Sequence, residues 1–191
     1  GARLTFAMRD ALAEVEAAAG RRPAVVVMQN HGLVVHANDP KEALALHEEA
    51  NARIAALFHL SANSFPEVRI ERMGDNAFVS ATPYLRALLR GESYSDAKLL
   101  LEPLYPDQLV FFTGALGGTA MIDRASGKVT YRMGEGAARA FEETLACVLF
   151  IEEHIRAAGF TVRAMGEAAK AFIANWESEA YRKKLAEGKA P

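Results

Sequence analysis

The chain has 191 residues, 51% of them apolar and 24% charged, with a formal net charge of -2. That length can bury a hydrophobic core, and the apolar-to-charged balance is that of a globular protein rather than a disordered one. No stretch is long and apolar enough to cross a membrane, and there is no basic stripe of the kind nucleic acid requires, so neither is an expected partner.

Leu4, Met8, Leu12 and Val15 recur at helical spacing, and Gly20 with Pro23 closes this first helix. Two runs of β-branched and apolar residues follow, Val25 to Met28 and Leu33 to Val35, separated by a turn that contains Asn30-His31-Gly32. The first strand carries His31 to a fixed place, Gly32 turns the backbone without a Cβ, and the second strand leads the chain away. A metal-ligating histidine is often presented this way, and a turn histidine satisfied by backbone fits the same residues.

Asp39 can cap a helix that has Pro40 in its first turn and Glu42 three residues after the cap. From Pro40 to about Leu60, Ala43, Leu46, Ala50, Ile54 and Leu57 form one stripe opposite Lys41, Glu48, Asn51 and Arg53, so this helix should lie across the strands. The turn chemistry of Ser61 to Pro66, in an irregular stretch reaching Met73, divides the chain into residues 1–62 and 63–191.

Beyond that boundary Thr82-Pro83 starts a short helix through about Arg90, and Leu109 to Thr113 is an apolar, strand-like run after a proline-containing loop. Gly114 to Gly118 reads as a connection rather than a phosphate loop, because it leads to a strand-like run instead of opening a helix. Thr119 to Asp123 and Lys128 to Arg132 form a hairpin around Arg124 to Gly127. A long helix spans Gly136 to Ala158 with Phe141, Leu145, Val148, Ile151 and Ile155 on one side, stopped by Gly159. A last helix spans Ala164 to Leu185, with Phe172, Trp176 and Tyr181 on its apolar side.

Few side chains outside the first hairpin point to chemistry. His36 should face solvent, and His154 complements a helix dipole. His47 and His59 share a helix but stand twelve residues apart, more than three turns, so they cannot hold one ion. The neighbouring carboxylates Glu142 and Glu143, Glu152 and Glu153, and Glu177 and Glu179 read as solvated helix faces, since adjacent helical residues point about 100° apart. Phe111, Phe112, Phe141, Phe150, Phe172 and Trp176 have core spacing. Cys147, the only cysteine, sits among apolar residues; it packs as a small hydrophobe and suits a reducing cytoplasm.

The order strand, Asn-His-Gly, strand, Asp-Pro and long helix, from about Arg3 to Leu60, resembles the class II aldolase/adducin family. Leu104 to Phe111 and Trp176 to Arg182 resemble segments in the extension of longer bacterial members. The resemblance implies an α/β fold, with an aldolase-like layered sheet and helices in residues 1–62 and a small α+β extension in 63–191. It also implies a zinc-dependent lyase acting on a sugar phosphate or related hydroxy-carbonyl compound, with zinc as Lewis acid. Its metal residue here is His31. The family's other two zinc histidines form a His-x-His pair earlier in its chain, near an acidic catalytic residue and a glycine-containing phosphate turn. No His-x-His occurs in this sequence. The chain is therefore expected to correspond to the C-terminal part of such a protein, and no catalytic residue is assigned. Family membership further implies a homo-oligomer. The competing expectation is a noncatalytic structural or oligomerisation module, as adducin uses this fold.

Overall fold

The computed structural model describes residues 2–174, which form seven helices and two small antiparallel sheets, a mixed α/β arrangement. The chain divides into two compact units, Gly1–His59 and Leu60–Pro191. No helix among the described residues is long and apolar enough to cross a membrane.

The first unit contains α1 (Ala2–Ala19), β1 (Val25–Met28), β2 (Gly32–Val35) and α2 (Pro40–Leu57). Gly20, at φ +69°, ends α1 and donates its N–H to the Glu16 carbonyl at 2.9 Å. β1 and β2 pair in register from Val25 with Val35 to Met28 with Gly32. At the head of α2, Asp39 Oδ1 accepts from the N–H of Lys41 at 2.6 Å and of Glu42 at 3.3 Å, satisfying two otherwise orphan donors. α2 lies against both strands, with Ala43, Leu46 and Ala50 of its stripe half-buried, whereas Ile54 and Leu57 of the same stripe are exposed. His59 departs from the expected helix: it stands just past the C-cap Phe58, at φ +53°. None of the described residues of this unit is buried.

The second unit has a four-stranded antiparallel sheet in the order β3-β4-β6-β5. Its strands are β3 (Ile70–Gly74), β4 (Ala77–Ser80), β5 (Ala120–Asp123) and β6 (Lys128–Arg132). The β5–β6 hairpin agrees with the expected one, with Ile122 paired to Val129 and Asp123 to Lys128. β3 and β4 were not expected. They form a hairpin around Asp75 and Asn76, with a register irregularity between Arg72 and Gly74. The outer residues of β3 are exposed, so it lacks the apolar alternation that marks a strand in sequence.

Helices α3 (Pro83–Leu88), α4 (Asp96–Leu101), α5 (Pro106–Phe112), α6 (Glu135–Ala157) and α7 (Glu167–Ala174) complete the unit. α5 replaces the expected strand Leu109 to Thr113. Pro106 presets its first turn, and Gln108 and Phe112, four residues apart, form its buried side. Gln108 also holds the preceding chain: its Oε1 accepts from the Leu104 N–H and its Nε2 donates to the Leu99 carbonyl, both at 2.8 Å. Those two bonds favour a helix that a bare apolar run leaves ambiguous. α7 covers only part of the expected Ala164 to Leu185 helix; Trp176, Glu177, Glu179 and Tyr181 lie outside the described residues.

The core lies between the sheet and α6, with α3, α4 and α5 closing it. Phe112, Phe141 and Tyr131 are its aromatic centre; Phe112 stacks on Phe141 at 4.6 Å between ring centres, and Tyr131 tilts against Phe141 at 5.7 Å. Of the other aromatics placed in the core by their spacing, Phe111 and Phe150 are half-buried, whereas Phe172 is exposed. The carboxylate pairs require a larger correction: Glu142 and Glu152 are buried.

Candidate functional site

His31 sits in the β1–β2 connection. Its N–H donates to the Met28 carbonyl at 3.2 Å, between Asn30 at φ +56° and Gly32 at φ +150°. Both neighbours occupy the left-handed half of backbone space, which asparagine and glycine tolerate and β-branched residues do not. The turn is therefore fixed by its sequence, and it leaves the His31 side chain exposed. Among the described residues the ring of this exposed side chain has no hydrogen-bond partner.

Three of the other four histidines are engaged elsewhere, and the fourth, His59, stands past the end of α2 with its backbone N–H on the Ala56 carbonyl. His36 Nε2 donates to the Pro23 carbonyl at 2.9 Å, His154 Nδ1 donates to the Phe150 carbonyl at 2.8 Å, and Asn51 Nδ2 donates to His47 Nδ1 at 3.1 Å. A carbonyl only accepts, so each nitrogen bonded to one carries a proton and is closed to a metal. No group of three His, Cys, Asp or Glu side chains able to hold a metal ion occurs among the described residues. His31 thus has the chemistry and exposure of a ligand, yet these residues alone do not complete a zinc site, which takes at least three protein donors.

Glu142, in the second unit, is a fully buried carboxylate. Ser80 Oγ donates to its Oε1 at 2.6 Å, and the Tyr131 hydroxyl donates to its Oε2. Burial pushes its carboxyl above the ordinary 4.5, while hydrogen bonds from Ser80, Thr82 and Tyr131 pull it partly back. Nearly three turns further along α6, Glu152 is buried against cations instead: Lys98 Nζ lies 2.8 Å from its Oε2, and Arg156 bonds the same oxygen. The Tyr94 hydroxyl donates to Glu153 at 2.7 Å. These networks join α6 to β4, β6 and α4. A signal for them exists in the sequence: Glu142 and Glu152 fall on the stripe Ala138, Phe141, Leu145, Val148 and Leu149, where solvated residues do not belong.

Cys147 is half-buried, and burial raises its thiol above the ordinary 9.0, so it stays protonated and unreactive near neutral pH. Gly114 to Gly118 cannot cradle a phosphate. The N–H groups of Ala115 and Leu116 donate to Phe112, that of Gly117 to Ala120 and that of Gly118 to Ala115, all within the turn.

A cavity of about 600 Å³ opens between α3, the β3–β4 hairpin and the start of β6. Arg86, Arg90 and Lys128 line it together with Glu71, Ser80 and Thr82. The β5–β6 turn is fastened to α3 beside it. A Cβ on Gly127, at φ +70°, would stand 2.1 Å from the Arg86 carbonyl oxygen, so only glycine permits this approach.

No protein-family model, curated protein or solved structure matches the chain.

Proposed function

We propose that this chain is part of a zinc-dependent class II aldolase-like enzyme acting on a sugar phosphate or related hydroxy-carbonyl compound, with His31 as one metal ligand. The observation that supports it is the β1–β2 connection, where a backbone fixed by Asn30 and Gly32 presents an unpaired, exposed imidazole. Zinc, when bound, would polarise the substrate's oxygen and offset the negative charge left by carbon–carbon cleavage. The contribution of this chain is to hold one donor in place. The remaining donors come, in this reading, from residues outside this sequence.

On the same reading the protein is a cytoplasmic homo-oligomer with an aldolase-like layered fold in its first unit; its single, half-buried cysteine suits a reducing compartment. One observation favours a second reading, a noncatalytic oligomerisation module: the first unit exposes Leu4, Phe6, Leu44, Ile54 and Leu57, apolar surface that an assembly would cover.

The natural gene product, detected in its source cell through this chain, tests both. The enzyme reading expects a product that retains zinc after dialysis, cleaves a sugar phosphate, and loses metal on His31→Ala with its fold intact by circular dichroism. Zinc retention unchanged by that substitution, or a product without zinc or lyase activity, would overturn it. An assembled but metal-free product would favour the module.

A further inference from the structure

The cavity beside α3 carries more positive charge than the fold has use for. Arg86, Arg90 and Lys128 line it against one carboxylate on its wall, Glu71, and none of the three cations makes an ion pair among the described residues. Arg90 is positioned: its Nε donates to the Ser126 carbonyl at 3.1 Å, which leaves its terminal nitrogens available. Arg86 is exposed and Lys128 half-buried. The two hydroxyls nearby are already committed, Ser80 to Glu142 and Thr82 to either Glu142 or the Arg69 carbonyl, 3.2 Å from its Oγ1, so charge rather than hydroxyl donation dominates recognition here.

We propose that this cavity binds the phosphate group of a small organic molecule, between Arg86, Arg90 and Lys128. Three cations face one carboxylate on the wall, with Asp123 beside Lys128 outside it, so the lining is net positive and suits the negative charge of a phosphate monoester near neutral pH. Guanidinium groups suit phosphate because their N–H forks match its oxygens in pairs. The rest of the lining includes Met73, Val79, Pro83 and Ala87, which give an organic body something to pack against, and the volume lies within the range of small-molecule sites. The site lies wholly in the second unit and stands without the zinc reading.

Isothermal titration of the full chain with glycerol 3-phosphate tests this, with inorganic phosphate, glycerol and a single-stranded RNA oligonucleotide titrated in parallel at constant ionic strength. Saturable binding of glycerol 3-phosphate, competed by inorganic phosphate and absent for glycerol, is expected. Equal affinity for the two phosphates would identify free phosphate as the source of the ligand group. Arg86→Gln and Lys128→Gln should each weaken binding about tenfold, the usual cost of one charge-assisted contact, while Glu71→Gln should tighten it. Arg86 is exposed, so its substitution should leave the thermal melt unchanged and decides the matter if the Lys128 variant melts early. No saturable binding of either phosphate, affinity indifferent to Arg86→Gln, or binding of the oligonucleotide alone would overturn the proposal.

Discussion

The two units use the same parts to different effect. Each has an antiparallel hairpin and an amphipathic helix of at least 18 residues, α2 in the first and α6 in the second. α6 buries nine residues, whereas α2 buries none. Val27 in β1 is 72% exposed, while Val129 in β6 is fully buried. The difference is one of layers: α6 meets a four-stranded sheet and further helices, whereas the main packing of α2 is against a two-stranded hairpin. Two strands and one helix cannot exclude water from their shared face, so a correct pattern of apolar residues does not by itself make a core.

The largest test of that contrast separates the units. Residues 60–191 expressed alone should melt cooperatively, and residues 1–59 alone should show no cooperative transition by circular dichroism. A sharp melt of the shorter piece would break the comparison. Next in size, Phe141→Ala should destabilise the second unit by about 3 to 5 kcal/mol, the ordinary cost of a large core cavity. Ile54→Ala, on the exposed side of α2, should cost less than about 1 kcal/mol. Urea unfolding of both variants checks the pair.

Smaller effects come from the buried carboxylate. Tyr131→Phe removes one of the donors to Glu142 and should cost about 1 to 3 kcal/mol. The pH dependence has a definite sign. Burial raises the Glu142 carboxyl above 4.5 in the folded protein, so the folded state holds the proton more tightly than the unfolded one. Its contribution to stability is fully present below about pH 4.5 and is lost as pH rises through the folded value. Wild-type stability should therefore fall across that window relative to Glu142→Gln, whose profile is flatter; parallel urea midpoints across pH would contradict this. The smallest effect is Asp39→Ala, which removes two cap bonds at an exposed helix start and should cost α2 about 1 kcal/mol, read as faster amide exchange in its first turn.

Much of the secondary structure was legible because its signals are local. Asp39 with Pro40 and Glu42 marks the start of α2, and Asn30 with Gly32 marks the turn that presents His31. The β5–β6 hairpin and α6 were legible too, α6 within one residue at each end. What escaped was decided by distant partners. β3 is a strand because β4 pairs with it, despite its exposed residues. α5 is a helix because Gln108 ties it to Leu99 and Leu104, although Leu109 to Phe112 is an apolar run without a period.

The candidate sites divide the same way. His31 drew notice from three consecutive residues, and its exposure follows from the turn those residues make. The cationic cavity gathers Glu71, the Arg86 and Arg90 pair and Lys128 from three separate segments, and only the four-residue spacing of the two arginines is visible along the chain. Sequence alone determined the caps, the turns and the apolar faces, since these depend on neighbours within a few residues. Tertiary structure alone decided which faces became core, which glutamates lost their water and which cations came to share a cavity, because burial and electrostatics depend on distance in space.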